Sequence, residues 1–390
     1  MKNKINLTFI IMFILIILLG NYTLVREQKD ISYIENRNLQ KFEHFTIKSF
    51  FEGTYQNNLE KAISDQFIGS ERIKTLMNET LDFSKHLNIK NKVCENNYFN
   101  LGEHYYSFDC NEVIVEKGVE LTENNNKQIL SQIEIYNDLN NYTDMYYYYI
   151  QTSGVFDFKN NKHTIDIEEM LKNNLEGNYH LESLKFNNYD EYINYFYRTD
   201  HHWNNHGSYQ GYQDIAKMMN FENIIKPSEE IVFEDLNFYG SFARNIRNFD
   251  YEQKFTVYKF ELNNYNVTID GKKDNYGRQQ DYFNKIYDRN NKYVNHYGEF
   301  YGYDYGEIIY DFNQPRKENL LIIASSYSNP INSLLASNFN KTYIIDLRHY
   351  INYTGYDFNI KEYIKKNNIK KTLIIMDYGY LISENNNLEV

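Results

Sequence analysis

The chain has 390 residues, with 53 Asp and Glu against 41 Lys and Arg, a formal charge of −12. That length allows two or three domains and a sizeable core, and an acidic balance with no basic block excludes nucleic acid as the main partner. Two cysteines exclude a disulfide-dense scaffold and a multi-cysteine zinc or iron–sulfur centre. The 40 Tyr and 26 Phe read in two ways: as codon bias in an AT-rich genome, or as an aromatic sugar-binding surface.

The first element is the apolar stretch 5–25, which has no polar residue between Phe9 and Leu19. About 20 such residues span a bilayer. Lys2 and Lys4 precede it and favour a cytoplasmic start. No small-x-small cleavage site follows, so an uncleaved anchor is expected over a cleaved signal. On that reading residues 1–25 are a cytoplasmic stub and transmembrane helix, and the rest of the chain lies outside the cytoplasm. Residues 26–90 carry Leu59, Ile63, Phe67 and Ile68 at helical spacing, which predicts a helical membrane-proximal arm.

Residues 91–390 read as an α/β domain. An aromatic run at 98–106, broken by Gly102, predicts two strands and a turn. Cys94 and Cys110 flank it and are candidates for a disulfide; the alternative is two buried thiols. Residues 145–150 predict a strand. Residues 225–315 read as short strands and loops. Farther on come apolar runs at 320–324, 343–345 and 373–376, with helical patterns at 331–339 and 360–366. Fully apolar strands alternating with helices predict a parallel sheet covered on both faces. In such sheets, sites gather at the carboxyl ends of strands. Ser325-Ser326-Tyr327-Ser328, Asp346 and Asp377 stand there.

Thr199-Asp200-His201-His202-Trp203 is the first motif with chemistry, just ahead of a helical stripe of Tyr209, Tyr212, Ile215, Ala216 and Met219. Asn204 or Asn205 can cap that helix. Asp200 and His202 project to the same side of an extended segment, and a local turn would bring them into contact. The carboxylate would then fix the tautomer and leave the other ring nitrogen as a base. A serine on the strand-to-helix turn at 325–328 needs such a base to act as a nucleophile. His202 and His206, four residues apart, could instead bind a metal. Trp203 stands where a zincin has its glutamate, however, and no metal is expected. Asp200, His201 and His202 could also contribute to a two-metal site. His201 reads as a structural partner. Trp203 reads as a core aromatic or a sugar platform, and Tyr327 is a second candidate for sugar contact.

The motif Thr199-Asp200-His201-His202-Trp203, followed by Gly207-Ser208-Tyr209, resembles the signature of the bacterial DHHW proteins. These are similar to the exported alginate O-acetyltransferases. Glu35-Asn36-Arg37-Asn38-Leu39, Asp65-Gln66-Phe67, Phe238-Tyr239-Gly240-Ser241 and Asp346-Leu347-Arg348 resemble further landmarks in the same order. The resemblance implies an SGNH-hydrolase-like three-layer α/β domain with a parallel sheet. It implies a triad of Ser326 as nucleophile, His202 as base and Asp200 as orienting acid. Ala324 replaces a family glycine, and Ser325 is the rival nucleophile. Candidate oxyanion donors are Ser326, Gly240 and Asn329. The implied activity is extracytoplasmic O-acetyl transfer, without cofactor, onto a surface polysaccharide or envelope glycan. A multi-pass membrane O-acyltransferase is the implied partner on the donor side. The alternatives are an acetylesterase with the same triad, a non-catalytic glycan-binding subunit, and a metal hydrolase.

Overall fold

The structure is a computed structural model. It describes the chain apart from residues 1, 30, 33–36, 52, 68, 71, 74–75, 78–97, 102, 109–111, 252, 275–290, 384–387 and 390. Cys94 and Cys110 fall outside the described residues. The chain forms two compact units, Met1–Lys92 with Tyr293–Asn295, and Val93–Lys292 with His296–Val390.

The first unit contains a helix over Lys2–Val25. The side chains of residues 10–15 and 17–19 stand 40–59 % exposed. Those of residues 2–9, 16 and 24, on which much of the anchor expectation falls, lie outside the described residues. Among the described residues no helix is long and apolar enough to cross a membrane. The arm is helical over Ile47–Phe51 and Thr54–Gln66. Of its predicted apolar stripe, Leu59 and Phe67 are half-buried, Ile63 is 49 % exposed, and Ile68 lies outside the described residues. Buried polar groups add hydrogen bonds here. Asp65 accepts from Gln40 N–H at 2.9 Å, and the Gln66 amide donates to the Lys29 and Gln40 carbonyls at 2.9 and 3.1 Å.

The second unit is built on an eight-stranded sheet. Its strands are β1 (Asp144–Ile150), β2 (Tyr179–Leu184), β3 (Asn266–Ile269), β4 (Lys272–Asp274), β5 (Glu307–Asp311), β6 (Asn319–Ala324), β7 (Lys341–Ile345) and β8 (Ile369–Met376), in the order β4-β3-β5-β7-β6-β8-β1-β2. From β7 to β2 all neighbours pair parallel, while β4, β3 and β5 add an antiparallel edge. The sheet is therefore mixed, where the apolar runs predicted a parallel one. The antiparallel edge comes from the region that read as short strands and loops.

Side chains alternate across a pleated strand. Leu320, Ile322 and Ala324 of β6 join the core on one face, and Leu321 and Ile323 join the core on the other. Burial on both sides is why the run is continuously apolar. Strand β1 does the same with tyrosines: Tyr146 and Tyr148 on one face, Tyr147 and Tyr149 on the other. The abundant tyrosine is thus partly core material. The first face is covered by the helices Tyr189–Tyr195, Asn205–Met218 and Asn332–Ala336, the second by Glu123–Leu139, Ile167–Asn174 and Ile360–Lys366. The aromatic run at 98–106 forms two antiparallel strands, Tyr98–Asn100 and Tyr105–Phe108, and Val113–Glu116 adds a third.

Candidate active site

The Asp-His-His run sits in a closed loop between two helices. Phe196 and Trp203 bridge at its base, and Tyr197 N–H donates to the His202 carbonyl at 3.2 Å. The local turn that the spacing required is made by Asp200 itself. One carboxylate oxygen, Oδ1, accepts both the His202 backbone N–H at 2.9 Å and His202 Nδ1–H at 2.6 Å. The other, Oδ2, accepts the Ser241 N–H. Asn204 caps the following helix by accepting from Gly207 N–H.

Opposite this loop, β6 ends at Ala324, Ser325 continues extended, and Ser326–Ser328 turn as a short 3₁₀ helix. Ser326 Oγ lies 2.8 Å from His202 Nε2, and Ser325 makes no such contact. An ionised carboxylate only accepts, so Asp200 places the imidazole proton on Nδ1 and leaves the Nε2 lone pair facing the Ser326 hydroxyl. None of residues 324–326 has positive φ, so alanine at 324 costs the turn nothing.

Burial acts to raise the Asp200 carboxyl. The two imidazoles and the donated N–H groups outweigh it and hold the carboxyl well below the usual carboxylate range. Desolvation in the loop, with His202 adding to it, lowers His201 to about 4 although the side chain is 39 % exposed, and this ring is neutral at pH 7. His201 Nδ1 lies 2.7 Å from Ser241 Oγ, and its carbonyl accepts the Tyr327 O–H at 2.6 Å.

Several expected roles change. Gly240 is not an oxyanion donor, because its N–H donates to Thr199 Oγ1 at 3.0 Å. Its place in the site is steric: a β-carbon there would stand 2.2 Å from Asp200 Cβ and 2.4 Å from the Thr199 carbonyl oxygen. Gly240→Ala is therefore expected to lower stability by about 1–3 kcal/mol, read as an earlier midpoint in urea unfolding. Asn329 is also committed. Its N–H donates to the Ser326 carbonyl, and its amide to Gly302 O at 3.2 Å and Asp304 Oδ1 at 3.4 Å. The Ser326 N–H, first in its turn, has no acceptor among the described residues.

Trp203 is 1 % exposed and packs on Tyr148 and Tyr327, so it is a core aromatic and no sugar platform. Tyr327 is buried and spends its hydroxyl on the His201 carbonyl, which removes it from sugar contact as well. His206 stands apart from His202 and bonds Tyr258 at 2.8 Å. Asp200, His201 and His202 bring possible ligand atoms within 4.8 Å of one another, but both His202 nitrogens are already hydrogen-bonded. The strand-end acids Asp346 and Asp377 cap the helices Leu347–Thr354 and Tyr378–Leu381. Asp346 also holds Arg348, which reaches Asp304. Ser241, which the sequence offered only as the last residue of a landmark, holds Asp200 through its N–H, and Tyr297, which had no signal in the sequence, donates its hydroxyl to the Ser326 carbonyl.

No protein-family model and no curated protein matches the sequence. Solved structures do match. Bacillus cereus PatB1, in a structure with a sulfonyl adduct, aligns over 73 % of this chain and 98 % of its own, at 19 % identity and a TM-score of 0.56. A DHHW family protein from Eubacterium siraeum aligns over 76 % of this chain and 97 % of its own, at 17 % identity and a TM-score of 0.53. The chain resembles both in fold. The O-acetyltransferase domain of Pseudomonas putida AlgJ aligns over 70 % of this chain and 90 % of its own, with 8 % identity and a TM-score of 0.35.

Proposed function

We propose that this chain is an O-acetyltransferase that carries acetyl groups on Ser326 and delivers them to a hydroxyl of an envelope polysaccharide. The observation that carries the reading is the unbroken chain Asp200–His202–Ser326, with contacts of 2.6 and 2.8 Å. Ser326 Oγ attacks the acetyl carbonyl of the donor ester while His202 Nε2 takes its proton. The tetrahedral intermediate collapses, and the donor alcohol leaves with that proton. A sugar hydroxyl then gives its proton to His202, attacks acetyl-Ser326 and becomes the ester; Ser326 Oγ recovers the proton. The Ser326 N–H, which has no acceptor among the described residues, donates to the oxyanion in both steps on this reading, and losing one such donor typically costs about 3 kcal/mol.

Sulfonyl reagents mark activated nucleophiles, so the adduct in the PatB1 structure supports the same reading here. With the N-terminal helix as an anchor, the site would face outward, away from acetyl-CoA. The donor would then be a multi-pass membrane O-acyltransferase.

The test uses the full chain in detergent with p-nitrophenyl acetate. An acetyl adduct is expected on the peptide containing Ser326, discharged faster by added acceptor glycan than by water. Discharge at the same rate with and without glycan would make the protein an esterase. No adduct in a folded protein would overturn the reading.

A further inference from the structure

We propose that Tyr297 is a positioning residue that locks the base and the nucleophile into one geometry. The inference deepens the acyl-transfer reading and rests on it. Tyr297 lies on the helix His296–Tyr301, which carries no motif. Its ring stacks on the His202 imidazole with centroids 3.8 Å apart and planes at 14°. Its O–H donates to the Ser326 carbonyl at 2.9 Å. One side chain thus touches both partners of the proton transfer. Burial raises its hydroxyl well above the usual range, so it stays a donor.

In a chain with 40 tyrosines, a buried ring beside a histidine could be ordinary packing. Geometry argues for more. His202 is held in its plane at Nδ1 by Asp200 and at Nε2 by Ser326. Those two bonds leave the ring free to rock about the line joining its nitrogens. Rings on its faces remove that freedom: Tyr297 at 3.8 Å, and His201 also at 3.8 Å with planes at 37°. The His201 ring is neutral at pH 7, so it does not repel the imidazolium that forms during transfer. The face of Tyr297 attracts that cation. Its hydroxyl meanwhile pins the backbone of the residue that supplies both the nucleophilic oxygen and the free N–H.

Tyr297→Leu removes both the ring and the hydroxyl; Tyr297→Phe removes the hydroxyl alone. Turnover of p-nitrophenyl acetate is measured with the full chain, together with the His202 ring proton resonances, assigned by their loss in His202→Gln. For Tyr297→Leu the expected result is a kcat lower by about 10- to 100-fold with KM little changed. Tyr297→Phe is expected to lose less. The His202 resonances should move downfield in the Leu variant, which has no ring current, and stay in place in the Phe variant.

A folded Tyr297→Leu with kcat within about twofold of the parent would overturn the proposal. If that variant does not fold, Tyr297→Phe decides: a loss of about threefold or more supports the carbonyl link, and a smaller one overturns it. If the parent protein shows no turnover and no adduct, the acyl-transfer reading falls and the resonances decide the clamp alone. Movement in Leu but not in Phe supports it; no movement in Leu overturns it.

Discussion

Ser326→Ala is expected to lower turnover of p-nitrophenyl acetate by about 1,000-fold or more and to abolish labelling by a sulfonyl fluoride. The reason is geometric. Ser326 Oγ is 2.8 Å from His202 Nε2, and Ser325, its neighbour in sequence, has no contact with that ring. Ser325→Ala is accordingly expected to stay within about threefold of the parent protein. His202→Ala should cost about as much as Ser326→Ala, because neither group works alone. The double variant should be little worse than either single one, since residues that act as a unit are strongly non-additive. Steady-state turnover, the pre-steady-state burst and intact-mass labelling together check this. Full labelling of Ser326→Ala would place the nucleophile elsewhere.

How much of this was legible in the sequence depended on the range of the signal. The apolar runs of β6, β7 and β8 were readable because strands buried on both faces carry that burial in every residue. The helix after His202 was readable from its stripe and its asparagine cap. Asp200 and His202 were readable as a pair because they are two residues apart and one carboxylate closes the turn between them.

The rest depended on contacts between distant segments. Gly240 read as a donor, but its role comes from the approach of Asp200, forty residues earlier. Trp203 read as a possible platform, and only the bridge to Phe196 shows that its side chain turns inward. Tyr297 lies in an Asn- and Tyr-rich stretch in which no spacing marks one tyrosine above another. Its distinction arises only when the turn at 326–328 packs against it.

The second large effect is expected at Asp200. Asp200→Asn keeps the shape but cannot keep the hydrogen bonds. The carboxylate accepts from His202 Nδ1–H, His202 N–H and Ser241 N–H. An amide has only one accepting atom. If its oxygen faces His202, its NH₂ meets the Ser241 N–H, donor against donor. If it flips, the NH₂ donates to Nδ1 and drives the imidazole proton onto Nε2, where it blocks proton transfer from Ser326. The first arrangement keeps the tautomer but sets two donors against each other at Ser241; the flipped one keeps that bond and loses the working tautomer, and a loss of roughly 10⁴ in kcat is the scale for that change in a serine triad.

The pH dependence of stability gives an independent check. The folded carboxyl is held well below its unfolded value of about 3.9, so its contribution is fully present above that pH and is lost as pH falls from about 4 toward the folded value. The stability difference between parent and Asp200→Asn should therefore shrink as pH falls below about 4. Urea midpoints measured across that range decide it. A difference that grows below about pH 4 would mean that Asp200 is protonated more readily in the folded protein than in the unfolded one. The carboxylate would then not be the acceptor that sets the tautomer of His202.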